Sequence, residues 1–150
     1  MSVGAICNRL IPTAAKSTSV RDAAKCMRAF DEPVVVVVDE REGKRVAVGI
    51  VTEHEVAQSV VACGADPSQV ALQDVMRANP GFVNEADDLL ETAFWMHRNR
   101  LREAIVHDES GALVGLVTIE RLIETLAGDL IGLAEPGVDE APADRPHALH

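Results

Sequence analysis

Gly49-Ile50-Val51-Thr52-Glu53-His54-Glu55 decides the fold, because the chain writes it again as Gly115-Leu116-Val117-Thr118-Ile119-Glu120-Arg121, a shift of 66. Upstream the match continues at a shift of 69: Ala24 and Met27 fall on Ala93 and Met96, and Asp39-Glu40 falls on Asp108-Glu109. The shift changes because the first copy carries three more residues between its Asp and its Gly, Asp39 to Gly49 against Asp108 to Gly115. An indel confined to a polar, Gly-containing stretch is what a surface turn tolerates. The chain therefore reads as two copies of one unit of roughly sixty residues, small for an independent core, so the copies are expected to pack on each other. A cleft between two related halves is a natural place for a ligand.

Within copy one, Ser17-Thr18-Ser19 offers helix N-caps, and Ser19 with Asp22 resembles a capping box. Val20, Ala23, Ala24 and Met27 follow at helical spacing. Val34 to Val38 is an unbroken valine run after Pro33, which reads as a strand buried on both faces. The charged stretch Asp39 to Lys44 turns the chain, and Val46 to Val51 returns. Thr52 then starts a helix with Val56, Val60 and Cys63 on one face, ended by Gly64. Copy two repeats the order: a lead-in at Asp74-Val75-Met76, a helix capped by Asp87 or Asp88, a strand over Glu103–His107, a turn at Glu109-Ser110-Gly111, a return strand and a helix from Thr118 through Leu126. The predicted organisation is unit one over 3–64, a connector over 65–73, unit two over 74–130 and a disordered Pro- and acid-rich tail over 134–150. The fold class is α/β (α+β), each unit a small sheet with helices packed on it.

Composition narrows the function. The net charge of −10 and an aromatic content of 3% argue against a general affinity for nucleic acid or for anionic membranes. No stretch approaches the roughly 18 apolar residues of a membrane span, and no signal peptide is apparent, so a cytoplasmic protein is expected. Cys7, Cys26 and Cys63 lack C-x-x-C spacing and read as reduced thiols, Cys26 and Cys63 on buried helix faces. His54, His97 and His107 lack metal-ligand spacing, and no nucleophile–base pair or Gly-rich phosphate loop is visible, so neither a metal site nor an enzyme is expected.

The element order, the duplication, Gly-apolar-apolar-Thr at both strand-to-helix junctions and the Asp74-Val75-Met76 lead-in resemble the cystathionine-β-synthase (CBS) domain, two of which form a Bateman module. The resemblance spans roughly residues 3 to 130. It implies two units related by a pseudo-two-fold, which sense an adenine nucleotide (AMP, ADP or ATP) or a related adenosyl compound in a cleft between them and signal to a regulated protein. It also implies a homodimer. The junction residues Thr52 and Thr118 would then meet phosphate or ribose. The acid three positions on, normally Asp, would hold the ribose hydroxyls. A helix start presents free N–H groups to an anion, and a carboxylate accepts two hydrogen bonds from a diol.

This chain departs from that pattern unevenly. Copy one has Glu55 at the acidic position, and copy two has Arg121, which cannot accept a hydrogen bond but pairs with phosphate or carboxylate. Arg98, Arg100 and Arg102 lie between helix and strand of copy two, near the phosphates by family analogy, where copy one has Phe30-Asp31-Glu32-Pro33. Each candidate also has a purely structural reading. Thr52-x-x-Glu55 is a capping box, Thr118 an N-cap, and the arginines solvated or ion-paired. The competing function is a ligand-independent oligomerisation or interaction scaffold with degenerate nucleotide sites.

Overall fold

The computed structural model describes residues 1–136. Beyond Pro136, the expected tail lies outside the described residues. The elements are α1 (Val3–Ile6), β1 (Thr13–Ala15), α2 (Val20–Phe30), β2 (Val34–Arg41), β3 (Lys44–Thr52), α3 (Glu53–Val56), β4 (Phe82–Asn84), α4 (Leu89–Arg98), β5 (Glu103–His107), β6 (Leu113–Thr118) and α5 (Ile119–Ala134). They build two three-stranded sheets of the same topology, β1-β2-β3 and β4-β5-β6. In each, the first pair is parallel and the second antiparallel. Both hairpins carry a register shift at the matching place, between Val37 and Val38 and between Val106 and His107. Val48 and Val114 are left without a partner opposite.

The valine run shows how the core is divided. Val35 and Val37 pack with Val20, Ala23 and Met27 of α2, while Val34 and Val36 pack with Ile50, Ile105 and Leu116 from both sheets. Successive strand residues point to opposite faces, so one run serves a helix layer and the seam between the halves. Ser19 caps α2 by accepting from the Asp22 N–H at 3.1 Å, and of the two candidates for α4, Asp88 is the cap, accepting from Leu90 and Glu91.

The lead-ins are exchanged. Val3 is fully buried among Leu89, Met96, Val106 and Leu122 of the second half, and Leu72 among Val20, Met27, Val35 and Val51 of the first. The backbone follows the same rule: Asn8 and Leu116 bond reciprocally at 2.8 and 2.9 Å, as Arg77 and Ile50 do at 2.9 and 3.1 Å. Each lead-in thus closes the other unit's core.

Several expectations are corrected. β2 and β3 run through the charged residues to a tight turn at Glu42-Gly43, whose φ values of 53° and 76° suit the twist of a two-residue hairpin. The parallel strands β1 and β4 were invisible as separate elements, because three residues carry no period. After Val56 the helix widens into a π-helical turn over Ala57–Ala62, which rotates Cys63 off the expected face and leaves it exposed; Cys26 is half-buried. α5 continues past Leu126 to Ala134, its added turns exposing Leu130, Ile131 and Leu133.

Candidate functional site

Thr52 ends β3 and caps α3, its hydroxyl oxygen accepting from the His54 N–H at 3.2 Å. Glu55 answers. Its Oε2 accepts from the Thr52 N–H at 2.7 Å and from the Thr52 hydroxyl. The capping box predicted from Thr-x-x-Glu is therefore formed in full. The other carboxylate oxygen, Oε1, pairs with Nε of Arg77 at 2.7 Å. Nη2 of the same guanidinium pairs with Glu103 at the start of β5. One arginine thereby joins an acid of the first half to an acid of the second. Burial pushes the Glu55 carboxyl up, but the Thr52 hydroxyl, the Thr52 N–H and the Arg77 guanidinium outweigh it, and the group is held below its ordinary range.

Around this cluster lies a cleft of about 580 Å³, within the range of small-molecule sites. Thr52, Glu53, His54 and Glu55 line it from the first half, Arg77 from the exchanged lead-in, and Arg100, Arg102 and Glu103 from the second. The carboxylates of Glu55 and Glu103 are engaged by Arg77. Among the described residues Arg100 makes no ion pair, and Arg102, 82% exposed, has only Glu120 at 3.8 Å. Such a pair is weak in water. Two guanidinium groups therefore edge the cleft with their donors open to an anion.

Of the residues singled out in the sequence, Thr52, Glu55, Arg100 and Arg102 are brought together here. Arg98 is not. It lies in the last turn of α4, exposed, where a cation suits the negative end of the helix. Thr118 and Arg121 stand at the matching junction of the second half, where the Thr118 hydroxyl oxygen accepts from the Arg121 N–H at 3.2 Å and no acid completes a box. There Asn8 holds the position of Arg77, its amide donating to Oε1 of Glu32 at 3.0 Å. Arg77 and Glu103 escaped the sequence reading. The available signal was the repeat itself, which sets Arg77 against Asn8 immediately after the lead-in motif. The left-handed backbone of Arg100, φ 56°, recurs at Asp31, φ 52°, so it belongs to the fold rather than to the site.

A second hollow, of about 570 Å³, lies on the outer face of α2 and α3, lined by Met27, Arg28, Val56 and Val60. It lacks the convergence of anion donors at a helix start. Among the described residues, no group of three or more His, Cys, Asp or Glu is placed to hold a metal ion, and no helix is long and apolar enough to cross a membrane.

Two repeats with exchanged lead-ins, and a polar cleft lined from both, define a paired-repeat module. The CBS-domain family model matches residues 3–62 and 72–128, and the chain belongs to the CBS-domain family, whose members are typically regulatory. A CBS-domain protein structure from Burkholderia ambifaria MC40-6 is 30% identical, with 81% of this chain and 85% of that one covered at a TM-score of 0.69. The CBS-domain pair of protein MJ0100, solved with 5′-methylthioadenosine and S-adenosyl-L-methionine, shares the fold at 23% identity, TM-score 0.72, over 86% and 98% of the two chains. An uncharacterized protein of Methanopyrus kandleri is 27% identical over 124 residues, 83% of this chain and 62% of that protein. A CBS-domain protein of Arabidopsis thaliana, CBSCBSPB3, is 30% identical over 83% of this chain but only 22% of its own length, so the chain spans well under the full length of these curated relatives.

Proposed function

We propose that this chain is a non-catalytic, ligand-sensing module that binds an adenine nucleotide or related adenosyl ligand in the cleft at Thr52 and reports its occupancy to a partner protein. The convergence of Thr52, Glu55, Arg100 and Arg102 from two halves around one cleft carries the reading. In it, Thr52 and the start of α3 face phosphate or ribose, Glu55 takes the ribose hydroxyls, and Arg100 and Arg102 take phosphate. The ligands of the MJ0100 pair support the adenosine part of this reading, a purine nucleoside with a ribose diol. At the second junction Thr118 and Arg121 offer an anion grip without a ribose acceptor, and Arg98 adds only charge nearby. A cytoplasmic setting is part of the proposal, with Cys7, Cys26 and Cys63 present as free thiols. Thermal shift against AMP, ADP, ATP, NADH and S-adenosylmethionine tests it, with any hit repeated in Thr52→Ala and Arg102→Ala. Saturable stabilisation that weakens in a variant supports it. No shift at millimolar ligand favours the scaffold reading.

We also infer a homodimer joined through the second repeat. Leu90, Phe94, Ile123 and Leu130 form one exposed apolar face on α4 and α5. At the matching places of the first repeat stand Arg21, Lys25, Ala57 and Gly64, so the fold alone does not require this face to be apolar. α4 begins with Asp88 and Glu91 and ends with His97 and Arg98. Two copies crossing antiparallel near Phe94 set the acidic start of one helix beside the basic end of the other, the self-complementarity a two-fold needs.

A further inference from the structure

We infer that Arg77 determines the specificity of the cleft, making it selective for phosphate-bearing nucleosides over uncharged nucleosides and over sulfonium-bearing adenosyl compounds. The inference rests on the nucleotide reading above and names its ligand class. Glu55 is the carboxylate at the helix start where a diol would be held. Its Oε2 is already bonded twice by Thr52, and its Oε1 faces the Arg77 Nε at 2.7 Å. With the Glu55 side chain 9% exposed, a hydroxyl reaches Oε1 only by sharing or displacing a charge-assisted pair.

Ligands differ in what they give Arg77 in exchange. An uncharged nucleoside gives nothing and leaves the guanidinium with Glu103 alone. A sulfonium adds a further cation beside Arg77, Arg100 and Arg102. A phosphate supplies oxygens that a guanidinium grips in bidentate fashion. Arg77 then gives up its carboxylate partners for the phosphate, and Oε1 of Glu55 is uncovered for the ribose. The Arg77 backbone stays fixed by its two bonds to Ile50, at 2.9 and 3.1 Å, so the exchange needs only side-chain motion. Drawing Arg77 off Glu103 also removes an ion pair between the halves, a local charge event placed where it can alter their packing.

Titration calorimetry on the full chain with adenosine, S-adenosylmethionine, AMP and ATP tests this, in wild type, Arg77→Ala and Glu103→Gln, each checked for folding by circular dichroism. Wild type should bind AMP at least about tenfold more tightly than adenosine, the discrimination of one strong charge-assisted contact. Arg77→Ala should bring that ratio near unity, with adenosine gaining as Glu55 is released. Glu103→Gln should strengthen AMP severalfold without strengthening adenosine, because Arg77 loses an anion that competes with phosphate and is also the one partner an uncharged nucleoside leaves it. These opposite signs separate specificity from mere support of the fold. Should Arg77→Ala not fold, Glu103→Gln decides alone. A ratio unmoved in the folded variants, or a wild type preferring adenosine or S-adenosylmethionine, overturns the inference by itself. A wild type that binds none of the four overturns the cleft reading and this inference with it.

Discussion

Gly115 and Asn8 stand in backbone contact across the two halves: a Cβ on Gly115 would lie 2.4 Å from the Asn8 carbonyl oxygen. Gly49 repeats the relationship, its Cβ position 2.8 Å from the Arg77 carbonyl oxygen. The glycine of the repeated motif thus has a steric cause: only a residue without a side chain lets the exchanged lead-in pair at that place. Gly115→Ala should cost about 1–3 kcal/mol, the usual range for overpacking, and loosen the N-terminal segment. Hydrogen exchange at the Asn8 and Leu116 amides, read beside a thermal melt, checks it. Unchanged protection there would refute the steric account.

Leu72 is fully buried against the first half, although it falls in the stretch read as a connector. Leu72→Ala should destabilise by about 2–5 kcal/mol, as for a core leucine. A connector residue would cost almost nothing. Chemical denaturation distinguishes the two.

Acid should weaken the Glu55 cluster. The folded carboxyl is held below its ordinary range, so between the folded and unfolded values the unfolded chain binds more protons and stability rises with pH. The contribution is fully present above the unfolded value, about 4.3, and is lost as pH falls through the folded one. Asp66 and Asp108, lowered chiefly by the Ser68 and Ser110 hydroxyls, act in the same direction. Glu55→Gln should therefore melt below wild type at neutral pH, with the gap closing as pH falls through the lowered range of the folded carboxyl. A gap of constant size would contradict the assignment.

Phe94→Lys copies the residue that the first repeat carries at this place, Lys25. Phe94 is 56% exposed, and the change should leave the melting temperature of the monomer nearly unmoved. A lysine at the centre of an isologous contact meets its own copy, which should raise the dimer dissociation constant by tenfold or more, about 1.4 kcal/mol. Light scattering over a dilution series measures this. A dimer indifferent to the substitution would place the contact elsewhere.

Much of this architecture was written locally. The repeat fixed two like units, the valine run a strand buried on both faces, and Thr52-x-x-Glu55 a helix start with its cap, because each depends on neighbours within a few residues. The Gly-apolar-apolar-Thr junctions named the family for the same reason. What tertiary structure alone decided is which half each lead-in serves, and that Arg77 lies between Glu55 and Glu103. Those partners are 22 and 26 residues away from Arg77 along the chain, and no periodicity reports a contact made by folding one repeat onto another. The sequence thus determined the module and its candidate helix-start site, while packing determined the charge environment that any ligand must meet.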